Sequence, residues 1–174
     1  MTENSSICPS IRWVIMGVSG VGKSEIGGRL GLQLGIAFVE GDEYHPPANV
    51  IKMAAGTPLD DADRQGWLQL LQNRIADAKE HDESLVLSCS SLKRRYRDFL
   101  RQGDSGLIFV HLTGSRDLVA SRMQARTNHF MPLNLLDSQF RDLEPLQADE
   151  RGISVDIGKT PDEIVNEALA KFLT

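Results

Sequence analysis

The sequence predicts an α/β fold: a five-stranded parallel sheet with helices on both faces. Short apolar runs rich in β-branched residues alternate with stretches of helical period along the chain. None of the runs alternates strictly with polar residues, which is the mark of strands covered on both faces. A glycine-rich turn joins the first run to the first helical stretch, as in βαβ units. At 174 residues, the chain holds one domain on a scale of roughly 150 residues per domain. We expect a flexible leader over 1–10 and a single domain over 11–174.

The strand runs are Trp13 to Met16, Ile36 to Val39, Leu85 to Cys89, Leu107 to Leu112 and Ile153 to Ile157. Between the first two, Ile26, Leu30 and Leu34 stand four apart, so a helix there lays one apolar stripe on the sheet. Trp67, Leu71 and Ile75 mark a second such helix. Asp60, Asp61 and Asp63 lie at its start, where acidic side chains cap and complement the helix dipole. A helix starting after Ser115 follows the fourth run. Thr160, Pro161 and Glu163 then read as N-cap, first-turn proline and capping box, opening a last helix through Ile164, Ala168 and Phe172.

Composition narrows the function. Nineteen basic against 24 acidic side chains leave a net charge of −5, so the overall field repels nucleic acid and anionic lipid, and neither is expected as a partner. No apolar run approaches the roughly 20 residues of a membrane helix, and Met1 to Arg12 lacks the apolar stretch of a secretion signal. A cytoplasmic protein is expected. Cys8 and Cys89 are far apart and read as reduced thiols.

In such sheets ligands gather beyond the carboxyl ends of the strands. After the first run comes Gly17-Val18-Ser19-Gly20-Val21-Gly22-Lys23-Ser24, a G-x-x-x-x-G-K-[ST] loop between strand and helix. Its backbone N–H groups converge on phosphate oxygens, Lys23 reaches the β- and γ-phosphates, and Ser24 ligates Mg²⁺. ATP and Mg²⁺ are therefore the expected cofactors. No Asp-x-x-Gly follows a strand run and Asn-Lys-x-Asp is absent, so a GTPase switch is excluded in favour of a transferase. After the second run, Gly41-Asp42-Glu43-Tyr44-His45-Pro46 brings a carboxylate and an imidazole to the same edge. Phosphoryl transfer to an alcohol wants a carboxylate to orient the hydroxyl and accept its proton, and Asp42 is the candidate.

The run Asp42-x-x-His45-Pro46-x-x-Asn49-x-x-Lys52-Met53-x-x-Gly56-x-Pro58-Leu59-x-Asp61-x-Asp63-Arg64-x-x-Trp67-Leu68 resembles the gluconokinase family. Cys89-Ser90-Ser91-Leu92-Lys93-x-x-Tyr96-Arg97-Asp98, Arg122-x-x-x-Arg126-x-x-His129-Phe130 and Gln139-Phe140-x-x-Leu143-Glu144-Pro145 extend the likeness from about Val14 to Ile157. The resemblance implies ATP-dependent phosphorylation of D-gluconate at its terminal hydroxyl, on a fold similar to nucleoside monophosphate kinases with a short lid over about 122–140. It also implies gluconate and ATP as small-molecule partners, and often a homodimer. Arg64 and Arg97 are then expected to grip a carboxylate, Lys93 to add a point charge, and His45, Asp42 and His129 to meet the sugar acid. Arg122 and Arg126, four apart on one helix face, are expected to close over the triphosphate and neutralise charge during transfer. Arg94 and Arg95 read as a solvated helix face. The lid sequence Thr127-Asn128-His129 departs from the family, where a basic residue and glycine usually precede the histidine.

Overall fold

A computed structural model describes residues 10–126 and 132–173. Five strands, β1 (Arg12–Met16), β2 (Ala37–Glu40), β3 (Leu85–Ser88), β4 (Ile108–Thr113) and β5 (Gly152–Asp156), form one parallel sheet in the order β2-β3-β1-β4-β5. The strands fall where the apolar runs stand, and the register follows from them: Val14 sits between Leu87 and Phe109, and Ile15 between Ser88 and Val110. The three inner strands are buried on both faces, as expected. The outer two are not: Ala37 on β2 and Ser154 on β5 reach solvent, because an edge strand has a neighbour on one side only.

Among the described residues, seven helices cover the sheet: α1 (Lys23–Leu34), α2 (Pro47–Ala54), α3 (Asp61–Glu80), α4 (Arg94–Arg101), α5 (Arg116–Gln124), α6 (Leu133–Asp142) and α7 (Pro161–Phe172). Alternate strand residues feed two cores. Trp13, Ile15, Val86, Val110 and Val155 pack with α1, α5 and α7 on one side, while Val14, Met16, Leu87 and Phe109 pack with α3 and α4 on the other. The expected caps are present. Asp60 accepts from Asp63 N–H while the Asp63 carboxylate takes the Asp60 N–H, and Thr160 and Glu163 repeat the pattern at α7. Ser115 caps α5.

The carboxyl ends of β1, β2 and β3 all open on one edge, which carries the site. Backbone conformation there demands glycine. Gly22, the N-cap of α1, has φ +99°, a region that L side chains rarely adopt. A Cβ on Gly41 would lie 1.9 Å from the Ser88 carbonyl oxygen, so only glycine lets β2 turn there so close to β3. The expected leader and Cys8 fall outside the described residues, apart from Ser10. Cys89 is a buried free thiol pushed up to about 11 by burial, unreactive rather than poised. Among the described residues no helix is long and apolar enough to cross a membrane.

Candidate active site

The loop from Gly17 to Ser24 links β1 to the N-terminus of α1, placing its N–H groups and the positive end of the helix dipole at the carboxyl edge. Lys23 Nζ donates to the Val18 carbonyl at 3.1 Å, folded back over its own loop. Burial pushes the Lys23 ammonium below the usual lysine value, with Asp42, Cys89 and Glu40 pulling it the other way. Ser24 Oγ donates to the Glu40 carboxylate at the end of β2, and the other Glu40 oxygen accepts from Ser88 Oγ.

Glu40 is a site residue that the sequence reading passed over. Its signal was available: it is the last residue of a strand run, at the edge where ligands gather. A serine hydroxyl and a carboxylate in contact beside a phosphate cradle are hard oxygen donors, and Mg²⁺ takes one or two such protein ligands while keeping waters and phosphate oxygens. Ser24 and Glu40 therefore fit this ion, although no cluster of three acidic, histidine or cysteine side chains suited to a metal occurs among the described residues.

Beyond the cradle lies a cleft lined by Ser19, Lys23, Asp42, His45, Arg64 and Gln139 among others. Asp42 belongs to the 3₁₀ turn Gly41–Tyr44 and is largely exposed, with its carboxylate free to meet a ligand. His45 is stacked on Trp67, with ring centroids 4.2 Å apart, and its Nε2 lies 3.9 Å from Asp42. Trp67 is itself pinned by an N–H bond to the Gly41 carbonyl at 2.8 Å. Burial lowers the His45 pKa, Asp42 opposes that and Arg64 adds to it, so the ring is neutral at pH 7. Asn49 holds its Nδ1 at 3.3 Å.

The three cations expected to meet a carboxylate separate sharply. Arg64 is 5% exposed and lines the cleft; its buried Nη1 has no hydrogen-bond partner, and the nearest carboxylate, Asp142, is 3.9 Å away. Lys93 stands outside the lining, paired with Asp61 at 3.1 Å and Asp142 at 3.8 Å. Asp61, held well below the usual carboxylate range by hydrogen bonds from Tyr96, Lys93 and Arg95, joins this cluster rather than serving only the helix start. The expectation that Lys93 lines the pocket is thus corrected: its charge is neutralised on the rim.

Arg97 is corrected more strongly. It does grip a carboxylate with two N–H groups, but the carboxylate is the chain's own Glu150, at 2.7 and 2.8 Å. Its remaining donors go to the carbonyls of Ser91, Leu92, Glu144 and Pro145, and both side chains are fully buried. Burial alone would raise the Glu150 pKa, yet the bonds from Arg97 and Arg101 hold it near about 2. No donor is left for a substrate.

Arg122 and Arg126 are corrected in place. α5 ends at Gln124, so Arg126 lies past the helix rather than on its face. Both line a second groove, with Gly20, Gly22, Lys159 and Pro161, that shares no lining residue with the cleft. Arg122 Nη2 donates to the Ile157 carbonyl at 2.7 Å. His129 and the stretch Thr127 to Met131 lie outside the described residues. Arg94, expected on a solvated face, is instead tied to Asp98 and Asp149 at 2.9 Å, though both partners are themselves exposed.

A family model described as shikimate kinase matches residues 19–172. A gluconokinase of Gluconobacter oxydans is 45% identical over 159 residues, covering 91% of this chain and 89% of the relative. The chain belongs to the gluconokinase family. A crystal structure of a gluconokinase from Sinorhizobium meliloti superposes with a TM-score of 0.85 at 47% identity, covering 93% of this chain and 90% of that one. A shikimate kinase from Bacteroides thetaiotaomicron, at a TM-score of 0.65 and 14% identity over 94% of this chain and 99% of that one, shares the fold alone. This gluconokinase-family chain is thus a phosphotransferase built on the parallel sheet that the sequence predicts.

Proposed function

We propose that the chain transfers the γ-phosphoryl group of ATP to the terminal hydroxyl of D-gluconate, releasing ADP and 6-phospho-D-gluconate. One observation carries this reading: a phosphate cradle shares a single cleft with a buried guanidinium, that of Arg64, whose Nη1 has no hydrogen-bond partner, and with an exposed carboxylate, that of Asp42. A sugar acid has a carboxylate for the first and a hydroxyl for the second. Charge-assisted bonds from a desolvated guanidinium are about twice as strong as neutral ones, so Arg64 is the residue assigned to the gluconate carboxylate.

Asp42 orients the hydroxyl and takes its proton as the oxygen attacks phosphorus. Neutral His45, fixed by Trp67 and Asn49, hydrogen-bonds a hydroxyl of the chain rather than adding charge. Lys23 leaves the Val18 carbonyl for the β- and γ-phosphates, where its charge is worth most because the site is desolvated. Ser24 and Glu40 would hold Mg²⁺, which supplies charge neutralisation on the phosphates when bound. The flanking groove suits the nucleoside part of ATP, with Arg122 beside it and Arg126 free to turn over the phosphates. The reading places the enzyme in the cytoplasm, where ATP is available.

The test is a coupled ADP-release assay with gluconate, shikimate and other sugar acids as acceptors, run with and without Mg²⁺. Gluconate-dependent turnover requiring Mg²⁺ is expected; turnover with shikimate alone would overturn the assignment.

A further inference from the structure

Helix α6 presents a side chain to the cradle that the chemistry above does not use. Gln139 Oε1 accepts from the backbone N–H of Ser19 at 2.7 Å, and Gln139 Nε2 donates to Ser19 Oγ at 3.3 Å. The amide thus clasps the third residue of the loop, across 120 residues of sequence, while lining the acceptor cleft. Lys23, the residue assigned to the β- and γ-phosphates, donates to the adjacent Val18 carbonyl, so Ser19 lies beside the group that would meet the terminal phosphate.

The clasp is not needed to hold α6. Leu135 and Leu136 are buried, Asn134 Nδ2 donates to the Gly56 carbonyl at 2.9 Å, and Asp137 pairs with Arg116 at 2.9 Å. A cradle donor capped by a neutral amide oxygen is, however, withheld from an anion. Phosphate oxygens outcompete a neutral acceptor for an N–H, since the charged bond is roughly twice as strong.

We propose that Gln139 is a positioning residue that senses the donor's terminal phosphoryl group. Its amide holds the Ser19 N–H in the empty cradle and cedes it to a γ-phosphoryl oxygen, and the freed amide turns into the cleft toward the acceptor. A nucleoside diphosphate does not reach Ser19 and leaves the clasp closed. Gln139 therefore contacts the acceptor only when a transferable phosphoryl is present. This rests on the reading of ATP as donor.

The test uses the full chain and two variants, Gln139→Glu and Gln139→Met, titrated calorimetrically with MgADP and with a non-hydrolysable Mg-ATP analogue, followed by kinetics with gluconate. In Gln139→Glu a carboxylate holds the Ser19 N–H and repels the γ-phosphate; the analogue should bind about tenfold or more weakly while ADP changes less than about threefold. In Gln139→Met the analogue should bind as well as in the parent or better, while kcat falls about tenfold or more through lost positioning. Equal weakening of both nucleotides in Gln139→Glu, or unchanged kcat in Gln139→Met, overturns the inference. Should Gln139→Glu fail to fold by thermal unfolding, Gln139→Met decides alone: lost kcat with intact ADP binding supports it, and parental kcat overturns it. A parent chain that binds neither nucleotide would overturn the donor reading, and this inference with it.

Discussion

Replacing Arg97 by glutamine distinguishes a structural cation from a substrate-binding one. The wild-type guanidinium makes six hydrogen bonds, two to Glu150 and four to backbone carbonyls, all within a side-chain environment that is 0% exposed. Removing it leaves the Glu150 carboxylate buried, with Arg101 at 2.6 Å, the Gln147 N–H at 3.0 Å and Arg94 at 3.8 Å as its remaining partners. Breaking a buried pair by deleting one member costs about 3–5 kcal/mol, and the surviving Arg101 contact points to the lower end. For a domain of this size, about 3 kcal/mol lowers Tm by roughly 6–12 °C. The gluconate KM should change less than about threefold, since Arg97 has no donor to give. Calorimetric unfolding and steady-state kinetics on the same preparation measure both. A KM raised tenfold or more with Tm unchanged would refute the assignment and return Arg97 to the binding site.

Arg64→Met should do the reverse, raising the gluconate KM by about 10- to 100-fold with Tm held or slightly raised, because it removes a buried unpaired donor along with the charge-assisted bond to the carboxylate. Asp42→Asn should lower kcat by about 10²- to 10⁴-fold with ATP binding intact by calorimetry. Glu40→Gln should raise the Mg²⁺ concentration needed for half-maximal activity, and a metal titration of turnover reads this directly. His111 is 2% exposed on β4, neither ring nitrogen has a hydrogen-bond partner, and its pKa is lowered to about 4, by burial first and then by Arg97. A histidine with a depressed folded pKa binds protons in the unfolded chain first. Stability should therefore be full above about pH 6.5 and fall as pH drops toward about 4, by up to about 3 kcal/mol. His111→Leu should flatten that slope in denaturant unfolding between these pH values.

The cradle was legible because its function is carried by backbone: glycines, a strand before and a helix after are all local features, and the structure places each where the sequence does. Asp42 and His45 were legible for a related reason, since the carboxyl edge of a parallel sheet is defined by where the strand runs end. The four helices read from stripes and caps, α1, α3, α5 and α7, hold for the same local reason. What was not legible were pairings between distant segments. Nothing around Arg97 in sequence announces Glu150, 53 positions on. Likewise Lys93 and Arg64 both look like free cations until Asp61 is seen to pair closely with Lys93 at 3.1 Å, while Arg64 has only the more distant Asp142 at 3.9 Å. Glu40 stands just past an apolar run, and only its contacts with Ser24 and Ser88 mark it as more than the strand's last residue. Gln139 stood inside a motif with no role, because an amide is informative only once its partner is known.

Burial alone would have misjudged these arginines, since Arg64 and Arg97 are both withdrawn from water. The difference lies in whether the desolvation is offset within the chain. Arg97 has a carboxylate and four carbonyls, so its charge is satisfied and its function is to hold the Glu144–Glu150 segment against the sheet. Arg64 has lost water without gaining an equivalent partner, which is costly in the free protein and is relieved when an anion enters. On the proposed reading, that asymmetry favours an acid over a neutral sugar of the same length, since the neutral molecule would leave Nη1 unpaired and the acid would not. The same reasoning separates the two ends of the cleft, because the cradle at Ser19 already has a stand-in acceptor in Gln139 and so gains less from weakly charged ligands than from a full phosphate.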